Sequence, residues 1–224
     1  LGFPSYADFQ RRLKDEVEAR LLSPLDKAGA EASRKRSPRT AFADAVSANV
    51  ADTFRRLPAG DFEAVAELLA DQRRPLHLLG GRFTDGLARY MTAHLRIVRP
   101  QVAALDGQRA NWRDQLLDMG ARDVLFLIDI RRYQDDLVEL AAEAARRKVT
   151  VVLLTDQWLS PVARIARHVL PARVAVPSAW DSTVALLALI EALVADVTAR
   201  CGPEARARMA AIETLRTGPR TAPR

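Results

Sequence analysis

The sequence predicts an α/β fold: a five-stranded, doubly wound parallel sheet flanked by helices, preceded by an N-terminal helical extension. Three observations predict it. Five short apolar runs, Leu76–Leu79, Val102–Leu105, Asp123–Ile128, Val149–Leu154 and the weaker His168–Leu170, are apolar without alternation, as strands covered on both faces must be. Helical segments separate them: Thr84–Ile97, Asn111–Met119, Asp135–Lys148 and Ser160–Ala166. Right-handed crossovers between parallel strands then place helices on both faces of one open sheet.

The elements before the sheet follow from local signals. Ser5 and Asp8 form a capping-box-like start, and Phe9, Leu13, Val17 and Leu21 recur every four residues, which predicts one amphipathic helix. From Gly29 to Arg39 the composition turns to Gly, Ala, Ser, Pro and clustered charge and reads as a linker. Residues 1–28 and 40–201 are therefore expected to be separate units, with 202–224 a C-terminal helix and basic tail. Thr40–Leu57 carries Phe42, Val46, Val50, Phe54 and Leu57 on one side, and Asp61–Ala70, capped by Asp61, follows across Pro58-Ala59-Gly60.

Trp180–Cys201 is an apolar-striped helix ended by Gly202-Pro203. Beside its main stripe of Val184, Leu187, Ile190, Val194 and Val197, Leu186, Leu189 and Leu193 widen the apolar surface beyond what one sheet face requires. Two readings account for that width: packing against a second subunit, which makes the chain a homodimer or higher homo-oligomer, or burial within one chain.

Bulk properties narrow the class. A length of 224 residues with 49% apolar content is enough to build a core. The longest apolar run, Val184–Ile190, is too short to span a membrane, and Glu191 and Asp196 follow it. One cysteine, Cys201, and an N-terminus without a secretory pattern fit a reducing, cytoplasmic setting. The net charge of +6 resides at the ends: residues 1–41 hold nine Lys/Arg against six Asp/Glu, residues 202–224 five against two, and residues 42–201 twenty of each. Any polyanion contact is thus expected at the termini, where solubilising tails are the alternative. A chain that starts at Leu1 reads as a piece of a longer protein.

In an open parallel sheet, ligands sit beyond the carboxyl ends of the strands, so the loops there are the informative ones. Gly80-Gly81-Arg82-Phe83-Thr84 is a strand-to-helix turn whose amides suit an anion, with Thr84 as N-cap and ligand donor; a plain turn would also use glycine. Asp129-Ile130-Arg131-Arg132-Tyr133-Gln134 follows the strongest strand. Its arginines either clamp a phosphate or carboxylate or pair internally with Asp129, Asp135 and Asp136. In Thr155-Asp156-Gln157-Trp158-Leu159-Ser160-Pro161, Ser160 caps a helix with Pro161 at its first position.

These loops, in this order, resemble the sugar isomerase (SIS) domain, and in particular the sensor half of the RpiR family of bacterial transcriptional regulators. Leu1-Gly2-Phe3-Pro4-Ser5-Tyr6 with Phe9, Leu13 and Glu16 is similar to the segment after that family's recognition helix. The first loop of the family runs Gly-x-Gly-x-Ser with Ala four positions on; Gly80, Thr84 and Ala88 match, and Arg82 replaces the second glycine. The second runs Ser-x-Ser-Gly-x-Thr after Asp-Val; Asp123-Val124 match, but Asp129, Arg131, Arg132 and Gln134 fill the signature positions. The third matches through Thr155, Ser160-Pro161 and Ala163.

The resemblance implies residues 1–28 as the tail end of a helix-turn-helix domain and an effector-binding, dimerising SIS domain over 40–201. DNA contact would run through the N-terminal domain, and the implied ligand residues are Gly80, Gly81, Arg82, Thr84, Asp129, Arg131, Arg132, Gln134, Thr155 and Ser160. No metal, cofactor or catalytic residue is expected. Because the phosphate-binding hydroxyls of the second loop are gone and Arg82, Arg131 and Arg132 stand nearby, the expected effector is a carboxylated or otherwise acidic, carbohydrate-derived metabolite. A phosphosugar isomerase and a ligand-free dimerisation module are the alternatives. The isomerase needs a general base, and His77, His94 and His168 fall in a strand, a helix and a weak strand, with Glu191 the candidate carboxylate.

Overall fold

The computed structural model describes residues 37–58 and 60–217. The Phe9–Leu21 helix, the helix-turn-helix remnant and all but the last three residues of the expected linker lie outside the described residues, as does the tail from residue 218.

Among the described residues the chain forms α1 (Pro38–Arg55), α2 (Asp61–Ala70), β1 (Leu76–Gly80), α3 (Asp85–Val98), β2 (Val102–Ala104), α4 (Arg109–Leu117), β3 (Val124–Asp129), α5 (Asp135–Arg146), β4 (Thr150–Asp156), a 3-10 turn (Pro161–Arg164), β5 (His168–Ala172) and α6 (Val184–Thr217). The five strands are all parallel, in the order β2-β1-β3-β4-β5. The predicted doubly wound sheet is therefore present.

Strand alternation divides the core into two layers. Leu76, Leu78, Phe126, Ile128, Val152 and Leu154 join the apolar faces of α2, α3 and α6 on one side. Leu79, Leu125, Leu127, Val151 and Leu153 join α4 and α5 on the other. Each strand is buried twice, which is why the apolar runs are continuous.

Three local expectations need correction. Ser160–Ala166 is not a full helix but a single 3-10 turn, because Arg167 already donates to the Val151 carbonyl and starts β5, leaving no length for more. At the start of α2 the N-cap is Gly60, with φ of 83°, and Asp61 is the first helical residue, so Asp61 supplies charge near the helix dipole instead of a side-chain cap. Helix α6 begins at Val184, leaving Trp180–Thr183 in an irregular segment. Gly202, at φ 47°, breaks the helix where Gly202-Pro203 was expected to end it, and the helical stretch that follows runs to Thr217 as the expected C-terminal helix.

The apolar width of α6 is used inside the chain. Leu186, Leu189, Ile190, Leu193 and Val197 are all fully buried, because α6 lies over the sheet with α1, α2 and α3 packed on it. A second subunit is not needed to cover that face. The stripe on α1 is covered less than its pattern suggests: Val50 and Leu57 pack on the core, while Phe42 and Phe54 stay exposed.

Candidate ligand-binding site

Strand order places the site. The chain leaves β1 for β2 on one side and then crosses to β3 on the other, so the direction of winding reverses between β1 and β3. The loops after these two strands diverge there and open a crevice. A cavity of about 640 Å³ fills it, within the usual size of small-molecule sites. Its walls come from the loop after β1 (Gly81, Arg82, Phe83, Thr84), the loop after β3 (Asp129 to Arg132, Gln134) and the segment before α6 (Ala179 to Asp181, Thr183).

Gly80 and Gly81 are required by close approach. A Cβ on Gly80 would lie 2.3 Å from the Thr84 carbonyl carbon and 2.4 Å from the Asp85 nitrogen, because α3 starts directly against the end of β1. One on Gly81 would meet Gln134 Oε1 at 2.8 Å. Gly81 therefore faces the cavity, whereas Gly80 lies behind it and shapes the turn.

Thr84 holds the expected N-cap position of α3, but its side chain makes no capping bond. Its buried hydroxyl donates to the Ile128 carbonyl at 2.5 Å, and the Gly81 amide donates to the same carbonyl at 2.9 Å, binding the first loop to the end of β3. Gln134 makes the reciprocal link: its Oε1 accepts from the Arg82 amide at 2.5 Å. The anion-accepting amide of Arg82 is thus already used by a neighbour.

Thr155 and Ser160 stand behind the cavity wall and serve the fold. Thr155 Oγ1 donates to the Asp129 carbonyl at 2.6 Å and accepts from the Ser160 amide at 3.1 Å. Ser160 Oγ accepts from the Val162 amide, capping the 3-10 turn as expected, and donates to Asp129 Oδ2 at 2.5 Å. Neither residue lines the cavity, and both hydroxyls bond within the fold.

Asp129 is 1% exposed and lines the cavity. Burial pushes its carboxyl up to about 7, and the charges of Asp156 and Asp136 push the same way against the hydrogen bonds from Ser160 and the Gln134 backbone.

The two arginines of the second loop have different fates. Arg131 is buried and bidentate with Asp181, Nε to Oδ2 at 2.7 Å and Nη2 to Oδ1 at 2.6 Å, while its guanidinium lies 3.8 Å from the Trp158 ring centroid. It is neutralised internally by Asp181, fifty residues on in the chain. Arg132 is exposed and has no hydrogen-bond or ion-pair partner among the described residues. Among the described residues the Arg82 guanidinium likewise has no ion-pair partner and lies 5.2 Å from the Phe83 ring. Two cations at the mouth are thus open to a ligand. Phe83 and Trp180, edge to face at 5.7 Å and both exposed, supply an apolar wall beside them.

Sequence reasoning missed the whole wall before α6, Asp181 included, and the supporting role of Asp156 behind the cavity. Asp156 accepts from the Arg131 amide at 2.7 Å, the Tyr133 hydroxyl at 2.7 Å and the Trp158 amide at 2.9 Å, and so fixes the second loop. Its bond to the amide two residues on is a local Asx turn that the Asp-x-Trp order could have signalled. Asp181 carries no local signal.

The histidines are engaged away from the cavity: His77 with Asp123 at 2.8 Å, His168 with Asp61 at 3.5 Å and His94 against the Tyr90 ring at 4.4 Å. Glu191 accepts from the Tyr90 hydroxyl, also outside the cavity. Among the described residues no three His, Cys, Asp or Glu side chains converge to hold a metal ion, and no helix is long and apolar enough to cross a membrane.

Comparison with known proteins places this geometry in context. The family model described as "SIS domain" matches residues 68–195. The sugar isomerase domain of an RpiR transcription factor from Sphaerobacter thermophilus superposes with a TM-score of 0.72 at 26% identity, covering 80% of this chain and 98% of that one. The Vibrio vulnificus NanR protein, complexed with ManNAc-6P, superposes at 0.66 with 18% identity, over 96% of this chain and 76% of that one. A phosphoheptose isomerase from Francisella tularensis shares the fold at 0.59 and 14% identity, over 70% of this chain and 95% of that one. Among curated proteins none matches.

Proposed function

This chain belongs to the SIS domain family, and from that premise we propose that it is the effector-binding part of a bacterial helix-turn-helix transcription regulator. Its effector is a small acidic or phosphorylated, carbohydrate-derived metabolite. One observation carries the ligand class: two arginines, Arg82 and Arg132, face the switch-point cavity with no ion-pair partner among the described residues. A guanidinium fork suits carboxylate or phosphate. The likeness to the Sphaerobacter RpiR transcription factor supports the regulatory role, and the ManNAc-6P bound by the Vibrio protein is consistent with an anionic sugar derivative as the kind of ligand. Gly81, Thr84, Asp129 and Gln134 would shape the pocket, and the Phe83–Trp180 wall would take the apolar side of the ligand.

In this reading residues 1–28 end a DNA-reading domain, residues 40–201 form the sensor, and homodimers bind two half-sites about one helical turn, or a multiple of it, apart. The dimer contact then uses surfaces other than the buried side of α6. Effector binding regulates by favouring one inter-domain arrangement over another.

The test is a thermal-melting screen of acidic metabolites, including sugar phosphates, sugar acids and their neutral parent sugars. Stabilisation by the acids and not by the neutral sugars is expected, growing with ligand concentration. No shift across the screen would leave the domain a ligand-free dimerisation module. A second reading, a phosphosugar isomerase, draws on Asp129, whose carboxyl is raised to about 7 at the cavity wall and could serve as a base. Aldose–ketose turnover on a sugar-phosphate panel decides between the two.

A further inference from the structure

Arg131 presents a guanidinium already stripped of water and oriented. Its side chain is 5% exposed and that of Asp181 11%, the ion pair is bidentate, and the ring of Trp158 supports the guanidinium from one face. Such a fork is built for a planar anion with two oxygens, and Asp181 supplies one. Both residues line the same cavity as Arg82 and Arg132.

Asp181 belongs to the irregular segment 173–183 between β5 and α6, which forms one wall of that cavity. Elsewhere single bonds tie the N-terminal part of the segment to its surroundings, Arg173 amide to Thr53 Oγ1 at 2.9 Å, Val174 amide to Gln157 Oε1 at 3.3 Å and Asn49 Nδ2 to the Ala175 carbonyl at 2.9 Å. The charge-assisted fork on Arg131 is the strongest link between its C-terminal half and the sheet loops.

We infer that the carboxylate of Asp181 occupies, on Arg131, the place of a ligand's own anionic group, and that an acidic ligand displaces it and releases segment 173–183. The inference rests on the acid-binding reading of the cavity and adds how binding is transmitted. An anion drawn in by Arg82 and Arg132 carries the same charge as Asp181 and approaches the same guanidinium. Exchange replaces one bidentate partner with another, so the desolvation of Arg131 is already met and the swap is nearly balanced. The carboxylate that leaves moves into solvent, changing the surface next to the start of α6.

The experiment titrates inorganic phosphate into the full chain at constant ionic strength, with sodium chloride as the control. Asp181→Asn and Asp181→Ala remove the internal competitor, and the apparent phosphate Kd is expected to fall at least about tenfold, because the competent fraction no longer has to be won from Asp181. Arg131→Gln added to Asp181→Asn should restore weak binding. In the wild type, saturating phosphate should speed hydrogen exchange of peptides spanning 173–183. This last measurement needs no variant to fold. Phosphate affinity that is unchanged or weaker in both Asp181 variants, or slower exchange of that segment on binding, overturns the inference. Tight phosphate binding by Asp181→Asn with none by the wild type supports it, even if the metabolite screen finds no effector. No binding in any form overturns it and leaves the role of Arg82 and Arg132 to that screen.

Discussion

The hydroxyl of Ser160 donates to the buried carboxylate of Asp129 at 2.5 Å across 31 residues of sequence. This bond stabilises the ionised form of a group that burial drives toward the neutral form. Its sign determines a pH dependence. A carboxyl whose folded-state value rises from 3.8 to about 7 binds more protons in the native state, so stability declines as pH rises through that window. Asp129→Asn should abolish the effect. The stability difference between Asp129→Asn and wild type is expected to grow with pH by at most about 1.4 kcal/mol per unit between roughly pH 5 and 7, and to level off above. Urea unfolding at several pH values measures it, and a constant difference would contradict the assignment.

Ser160→Ala removes both the cap of the 3-10 turn and the bond to Asp129. It should cost about 1–3 kcal/mol and move the declining window to higher pH, since the bond holds the carboxyl down. A stability loss with an unshifted pH profile would mean that Ser160 acts as a cap alone.

Gly80→Ala forces a Cβ to within 2.4 Å of three backbone atoms at the start of α3. Backbone has no rotamer to yield, so a loss of about 3 kcal/mol or more is expected in chemical denaturation. Gly86→Ala is the matched control, since its Cβ would meet nothing within 4 Å.

Leu189→Asp should unfold the chain and not simply dissociate it, because Leu189 is fully buried beneath neighbouring helices of its own chain. Leu189→Ala should cost about 2–5 kcal/mol without changing the oligomeric state. Sedimentation together with circular dichroism separates these outcomes; a well-folded Leu189→Asp monomer would restore the intersubunit reading of α6.

Arg82→Ala combined with Arg132→Ala should erase any melting shift produced by acidic ligands while altering the ligand-free stability by no more than about 0.5 kcal/mol, since neither guanidinium has an ion-pair partner to lose among the described residues. Retention of the full shift would move the anion site elsewhere.

Much of the fold was legible. The five strands fall within two residues of their expected bounds, because double-sided burial writes an unbroken apolar run into the sequence wherever it occurs. The two crevice loops were legible for the same reason, since switch-point loops follow strands whose positions are visible. Less legible were the partners of individual side chains. Thr84, Thr155 and Ser160 matched a ligand pattern, and the structure adds what no pattern carries, that their hydroxyls also donate to Ile128 and Asp129. The apolar width of α6 suggested a partner, but periodicity records only that a face is covered and not by what.

The sequence by itself determined the elements, their parallel sheet and the place where a ligand would enter, all of which follow from periodicity and turn chemistry within a few residues. Only the tertiary structure decided which charges stay open there. Arg131 and Arg132 are neighbours in the chain, but the fold lays Asp181, fifty residues on, against one and not the other. Ion pairing falls off over a few ångströms in space, and the sequence carries no measure of that distance.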